Sequence, residues 1–72
     1  MNKAEAVGTA TQMAFETTDP GWEHIDDMLR CYTDNGDKPP CTGDELYELV
    51  NKAVAFKETG LLYKEVIDKM MN

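Results

Sequence analysis

Apolar residues recur along the chain at the three- and four-residue spacing of one helix face, in four separate segments. The first segment runs from Lys3 to about Glu16, and its apolar side chains are mostly small. Because small side chains remove little apolar area from water, we expect residues 1–18 to form a weaker helix that can dock loosely and move. Its predicted stripe consists of Ala6, Val7, Ala10, Met13 and Ala14.

The second segment predicts a strongly amphipathic helix with an acidic outer face. Asp19 followed by Pro20 is typical of an N-cap and a first helical residue, so we expect the helix to begin there. The next stretch, residues 33–41, is rich in turn formers and predicts a loop. The apolar stripe of the helix is predicted to consist of Trp22, Ile25, Met28, Leu29 and Tyr32.

The third and fourth segments predict a helical hairpin. Thr42 and Glu45 have the spacing of a capping box, and Gly60 is suited to end the helix that starts there. The fourth helix is predicted from about Leu61, with Leu62 and Tyr63 facing inward. Residues 1–72 therefore predict one small all-α domain, a compact bundle of three to four short helices whose last two form an antiparallel hairpin.

Negative charge is concentrated in the middle of the chain. Ten carboxylates lie between Glu16 and Glu48 against only Arg30 and Lys38, which gives this segment a net charge of −8. The remaining residues carry +1, so the whole chain carries −7. The negative electrostatic potential of such a segment attracts basic surfaces and repels nucleic acid and anionic lipid.

This charge pattern favours a non-enzymatic interaction protein over a binder of nucleic acid or membrane. The hypothesis is an inhibitor or regulator that occupies the basic, nucleic-acid-binding surface of a partner protein, as small phage and mobile-element proteins do. A solvated face that only keeps the protein soluble is the simpler interpretation. The predicted contact residues are Glu23, Asp26, Asp27, Asp34, Asp37, Asp44 and Glu48.

An oligomerising or adaptor module is the alternative function. It would pair through an apolar face with a copy of itself, giving a homodimer, or with a partner helix. The residues predicted for that face are Met13, Phe15, Met70 and Met71.

Metal binding finds little support in the residue spacing. His24, Cys31 and Cys41 could combine with Asp34 or Asp37, but their spacing matches no familiar zinc signature. A third possible function, a metal-dependent regulator, would require these four side chains to bind a metal ion together. We therefore expect neither a metal nor a cofactor.

The twelve residues 34–45 have the length of a calcium loop, but the ligand positions are wrong. Gly36 and Lys38 stand where oxygen ligands are needed, and Pro39 stands where the loop requires glycine. Catalysis is not expected either, because the chain has no serine, only one histidine, and carboxylates that would disfavour a thiolate.

The location expected by default is the cytoplasm. The longest uninterrupted apolar stretch is residues 53–56, far below the roughly 20 residues of a membrane span. Two cysteines are fewer than a small secreted scaffold usually carries, so Cys31 and Cys41 are expected to be reduced thiols. In an exported chain, a disulfide between Cys31 and Cys41 is the alternative.

Overall fold

Four α-helices and no strands make up the computed structural model, which describes residues 1–72. The helices are α1 (Lys3–Glu16), α2 (Trp22–Asp34), α3 (Gly43–Glu58) and α4 (Tyr63–Met71). The predicted all-α bundle is confirmed. None of the four helices is both long and apolar enough to cross a membrane.

The first helix, α1, lies at the centre of the bundle. Two clusters of buried residues form the core, and α1 and α3 contribute to both. The first cluster also includes α4, and the second includes α2. The first contains Val7, Ala14, Ala53, Val66 and Met70, and the second contains Ala10, Met13, Ile25, Leu46 and Val50.

The small side chains of α1 are nevertheless well covered by the other helices. Seven of its fourteen residues are buried, more than in any other helix. Ala10 and Ala14 on α1 and Ala53 on α3 are all essentially inaccessible to water. Their small side chains let the backbones of α1 and α3 approach each other, so little exposed area is left on this face. The mobility predicted for residues 1–18 stays a prediction.

Specific hydrogen bonds hold both ends of α1. At its start, the Asn2 side chain accepts the N–H of Glu5, and the Asn2 backbone N–H donates to the carbonyl oxygen of Pro40 at 2.8 Å. At its end, Lys57 Nζ donates to the carbonyl oxygen of Ala14 at 3.0 Å. A cation at this end of a helix also satisfies one of the otherwise unpaired carbonyls.

The helix α2 begins later than predicted. Its N-cap is Gly21 and its first residue is Trp22, so the assignment of Asp19 as N-cap and Pro20 as first residue is wrong. Pro20 is buried instead. The Gly21 N–H donates to Nδ1 of His24 at 3.2 Å, which satisfies one backbone donor at the new start.

The capping box that starts α3 is present as predicted. Glu45 N donates to Thr42 Oγ1 at 3.2 Å, and Thr42 N donates to Glu45 Oε1 at 2.9 Å. The glycine predicted to end this helix, Gly60, has a φ of +94°, a conformation that favours glycine.

The last two helices form the hairpin and run antiparallel. The end of α3 and the start of α4 both lie at the end of α1, where the Phe15 and Tyr63 ring centroids are 5.4 Å apart. However, α4 begins at Tyr63 rather than Leu61, and the inward orientation predicted for Leu62 and Tyr63 is wrong. Leu62 caps the helix in an extended conformation with its side chain 70 % exposed, and Leu61 packs against the core instead.

Candidate interaction surface

The seven predicted contact carboxylates are all exposed. Three lie in the first half of α2 and a fourth is its last residue; one lies in the loop, and two lie in the first turns of α3. We call these residues the acidic surface; they are Glu23, Asp26, Asp27, Asp34, Asp37, Asp44 and Glu48.

Close packing of α2 against the start of α3 brings the two helical parts of the acidic surface together. A Cβ atom at Gly43 would lie 3.5 Å from Leu29 Cδ1 and 3.7 Å from Trp22 Cζ3. These are ordinary van der Waals distances, so the first turn of α3 lies directly against α2. The second buried cluster, with Ile25 and Leu46, continues the contact inward.

A stacked aromatic pair joins the two helices at this point. The rings of Trp22 and Tyr47 lie nearly parallel, with their centroids 4.5 Å apart and an interplanar angle of 12°. Residues three or four apart share a helix face. Asp26 therefore lies one turn from Trp22, and Asp44 one turn from Tyr47, so that carboxylates flank the aromatic pair on both helices.

The exposure of Trp22 was not predicted from its place on the apolar stripe. Its side chain is 46 % exposed, whereas Ile25, one turn further along, is fully buried. The available signal was the size of the indole at the first turn of a helix, since tryptophan is seldom covered completely.

The charge of the acidic surface is almost uncompensated. The structure contains one ion pair, between Arg30 Nη1 and Asp27 Oδ1 at 3.5 Å, and both side chains are about two-thirds exposed or more. An exposed pair of this kind contributes little to stability and is screened by salt. The other six carboxylates of the acidic surface have no cationic partner within 4.0 Å.

The glutamate at position 45 has a structural role beside this surface. Its hydrogen bonds with the backbone and side chain of Thr42 lower the pKa of the Glu45 carboxyl group. It stays charged at the start of α3, where the helix dipole favours an anion.

The residues considered for metal binding are not brought together. His24 is engaged with Gly21 at the start of α2, Cys31 is exposed, and Cys41 is half-buried. No group of three His, Cys, Asp or Glu side chains has a geometry that could hold a metal ion. Burial raises the pKa of the Cys41 thiol, and the neighbouring Glu45 carboxylate raises it further, against a smaller lowering by the N-terminal ammonium.

The apolar face predicted for the alternative function is not a continuous exposed surface. Met13 and Met70 are buried in different clusters. Phe15 is half-buried, with the Tyr63 ring against its edge, and of the four residues only Met71 is exposed. This assignment of residues is wrong, while the oligomeric state itself stays a prediction.

Comparison with protein-family models, curated proteins and solved structures gives no match. A helical bundle of this kind does not by itself define a function. The functional argument therefore rests on the exposed side chains of the chain itself.

Proposed function

We propose that this chain is a non-enzymatic inhibitor or regulator whose acidic surface occupies the basic, nucleic-acid-binding surface of a partner protein. Proteins encoded by phages or mobile elements against host defence systems are the context we favour. The observation that carries the proposal is that six of its seven exposed carboxylates lack a cationic partner. Two of these six, Asp26 and Asp44, lie one turn from the stacked pair of Trp22 and Tyr47, in which Trp22 is exposed.

The spacing of the carboxylates supports imitation of a phosphate backbone. Glu23 and Asp27 on α2, and Asp44 and Glu48 on α3, are four residues apart. Side chains at this separation start about 5–6 Å apart on one helix face. Negative charge therefore recurs with each helical turn, as it recurs along a nucleic-acid strand.

The aromatic pair adds an element that charge alone lacks. Carboxylates at the rim of an interface mainly accelerate and orient association, whereas partly buried tryptophan and tyrosine side chains often supply much of the affinity. A partner arginine could stack on the exposed part of Trp22 while forming a charge-assisted hydrogen bond with Asp26 or Asp44. We assign the chain no reaction, no cofactor and no direct binding of nucleic acid or membrane.

Two matched variants test the proposal. The site variant carries Asp26→Asn, Asp44→Asn and Glu48→Gln. The control variant neutralises three exposed carboxylates outside the acidic surface, through Glu16→Gln, Glu58→Gln and Asp68→Asn. Each variant raises the net charge by three units from the −7 of the natural chain, so the two variants differ only in where the charge is removed.

Each protein is immobilised and used to capture binding proteins from the organism that encodes it. We expect the natural chain and the control variant to retain the same partner, and the site variant to lose at least about tenfold in affinity. Raising salt from about 50 mM to about 500 mM should release the partner, because the attraction is screened. Duplex DNA should compete with the chain for it.

The proposal would be contradicted if the amount of captured partner did not change with salt or with added DNA. It would also be contradicted if both variants lost the same affinity for the partner. Sedimentation of the three proteins separates it from the oligomerising alternative. A tight homodimer that the site variant leaves intact, together with no salt-sensitive partner, would favour the alternative.

A further inference from the structure

A second surface, away from the acidic one, is a groove between the start of α1, the middle of α3 and the end of α4. Its volume is about 500 Å³, within the range of about 300–1,000 Å³ that is typical of small-molecule sites. The apolar residues of the groove come from α3 and α4; they are Leu49, Ala55, Phe56 and Met70.

Three lysines line the groove beside its apolar residues. Lys3, Lys52 and Lys69 line the groove, and apart from the apolar floor the only other lining residue is Asn72, so no acidic side chain lines it. None of the three ammonium groups has a carboxylate within 4.0 Å, since the only ion pair in the structure is on α2. In a chain of net charge −7, three of its seven basic residues thus line one groove without an ion pair.

We propose that this groove binds a single-chain alkyl carboxylate, a medium-length fatty-acid anion taken up as a free monomer. The alkyl tail would lie on the floor formed by Phe56 and its apolar neighbours, where it leaves water. The carboxylate would receive charge-assisted hydrogen bonds from the lysine ammonium groups at the rim.

Charge and size together select this ligand class. An inorganic anion would leave the apolar floor uncovered, and a neutral alkyl chain would leave the three ammonium groups unused. A protein partner needs about 800 Å² of surface on each side for a stable complex, which this groove does not offer. An anionic membrane would be repelled by the acidic segment of the chain, whereas a monomer can reach the groove alone.

The test titrates decanoate, below the concentration at which it forms micelles, into the full chain by calorimetry and by amide NMR. We expect saturable binding of one decanoate per chain, with shifts at amides around Lys52 and Lys69. The variant Lys52→Gln/Lys69→Gln should lose at least about tenfold in affinity, because it removes two of the three cationic partners. The matched control, Lys38→Gln/Lys64→Gln, changes the net charge equally outside the groove and should bind normally.

A third variant tests the floor while leaving all lysines in place. Ala55 is exposed and lines the groove, so Ala55→Phe should occupy the site of the tail without disturbing the core. We expect it to abolish decanoate binding with an unchanged helical circular-dichroism spectrum. Acetate and decanol, which carry the head and the tail separately, should each bind at least about tenfold more weakly than decanoate.

Several results would overturn the proposal. They are the absence of saturable decanoate binding, an equal affinity in the Lys52→Gln/Lys69→Gln variant, equal binding of acetate or decanol, and tighter binding to phosphatidylglycerol vesicles than to monomeric decanoate. None of these measurements uses the acidic surface or its partner. A negative result with decanoate therefore leaves the proposed function unaffected, and a negative result in the partner capture leaves the groove proposal unaffected.

Discussion

Shortening Val7 to alanine tests whether α1 is docked in solution as the structure describes. Val7 is fully buried, in the cluster that joins α1 to α3 and α4. The change removes two methyl groups, each contributing about 0.8 kcal/mol of burial free energy, and the remaining cavity adds to the loss. Alanine is the better helix former by roughly 0.5 kcal/mol. The expected net decrease in unfolding free energy is about 2 kcal/mol.

Urea unfolding followed by circular dichroism at the helical band measures this decrease. A domain of this size has a total stability of about 4–11 kcal/mol, so the loss is a large fraction of it. With a urea dependence of about 1 kcal/mol per molar, the midpoint should fall by about 2 M. Gln12→Ala on the exposed side of α1 is the control and should stay within about 0.5 kcal/mol of the natural chain.

The reasoning would be refuted if Val7→Ala shifted the midpoint no further than Gln12→Ala does. That result would mean that α1 is undocked for much of the time, as the mobility predicted from its small side chains implies. The first buried cluster would then exist without its central helix, and the groove beside Lys3 would not be a stable site.

Four further predictions concern three single residues. Thr42→Ala should lower the unfolding free energy by about 1 kcal/mol in the same urea assay, because it removes the N-cap acceptor of α3, and Thr42→Ser should restore it. Cys41 should react with iodoacetamide more slowly in the folded chain than in urea at the same pH, and the difference should narrow as the pH rises through its raised pKa. Because the folded state disfavours its thiolate, the same residue should stabilise the fold less as the pH rises above about 8.5, and Cys41→Ser should flatten that dependence. The ratio of caesium quenching to iodide quenching should be higher for Trp22, the only tryptophan, than for N-acetyltryptophanamide, and the contrast should fade in high salt. A ratio equal to that of N-acetyltryptophanamide at low salt would show that the surroundings of Trp22 are not negative.

The local features of this fold could be predicted from the sequence, because they depend on neighbouring residues. The Thr42 capping box involves four consecutive positions, and the left-handed glycine at Gly60 needs only its own conformational freedom. The start of α2 was predicted two residues too early: Pro20 is buried and Gly21 is the N-cap. The spacing of residues along the chain does not show that Pro20 is buried.

The features that depend on packing between helices were harder to predict. The small residues of α1 predicted a small buried area, and the sequence did not show that Ala10 and Ala14 would each belong to a different buried cluster and be almost inaccessible to water. The exposed acidic residues were located correctly by their pattern, since charged side chains seldom become buried. The groove combines Lys3, Lys52 and Lys69 from three helices, and nothing in their spacing along the chain connects them.

The helices α1 and α3 contribute to both buried clusters, and so they link the two proposed binding surfaces through the stability of the whole domain. The acidic surface lies on α2 and the start of α3, the groove lies beside α4, and α1 with α3 supports both. Amide protons in the middle of α1 and α3 should therefore exchange with deuterium only when the whole domain unfolds. A ligand that binds the folded chain at either surface raises the free energy of unfolding and would slow that exchange. The exchange rates of these few amides would therefore report binding at both surfaces.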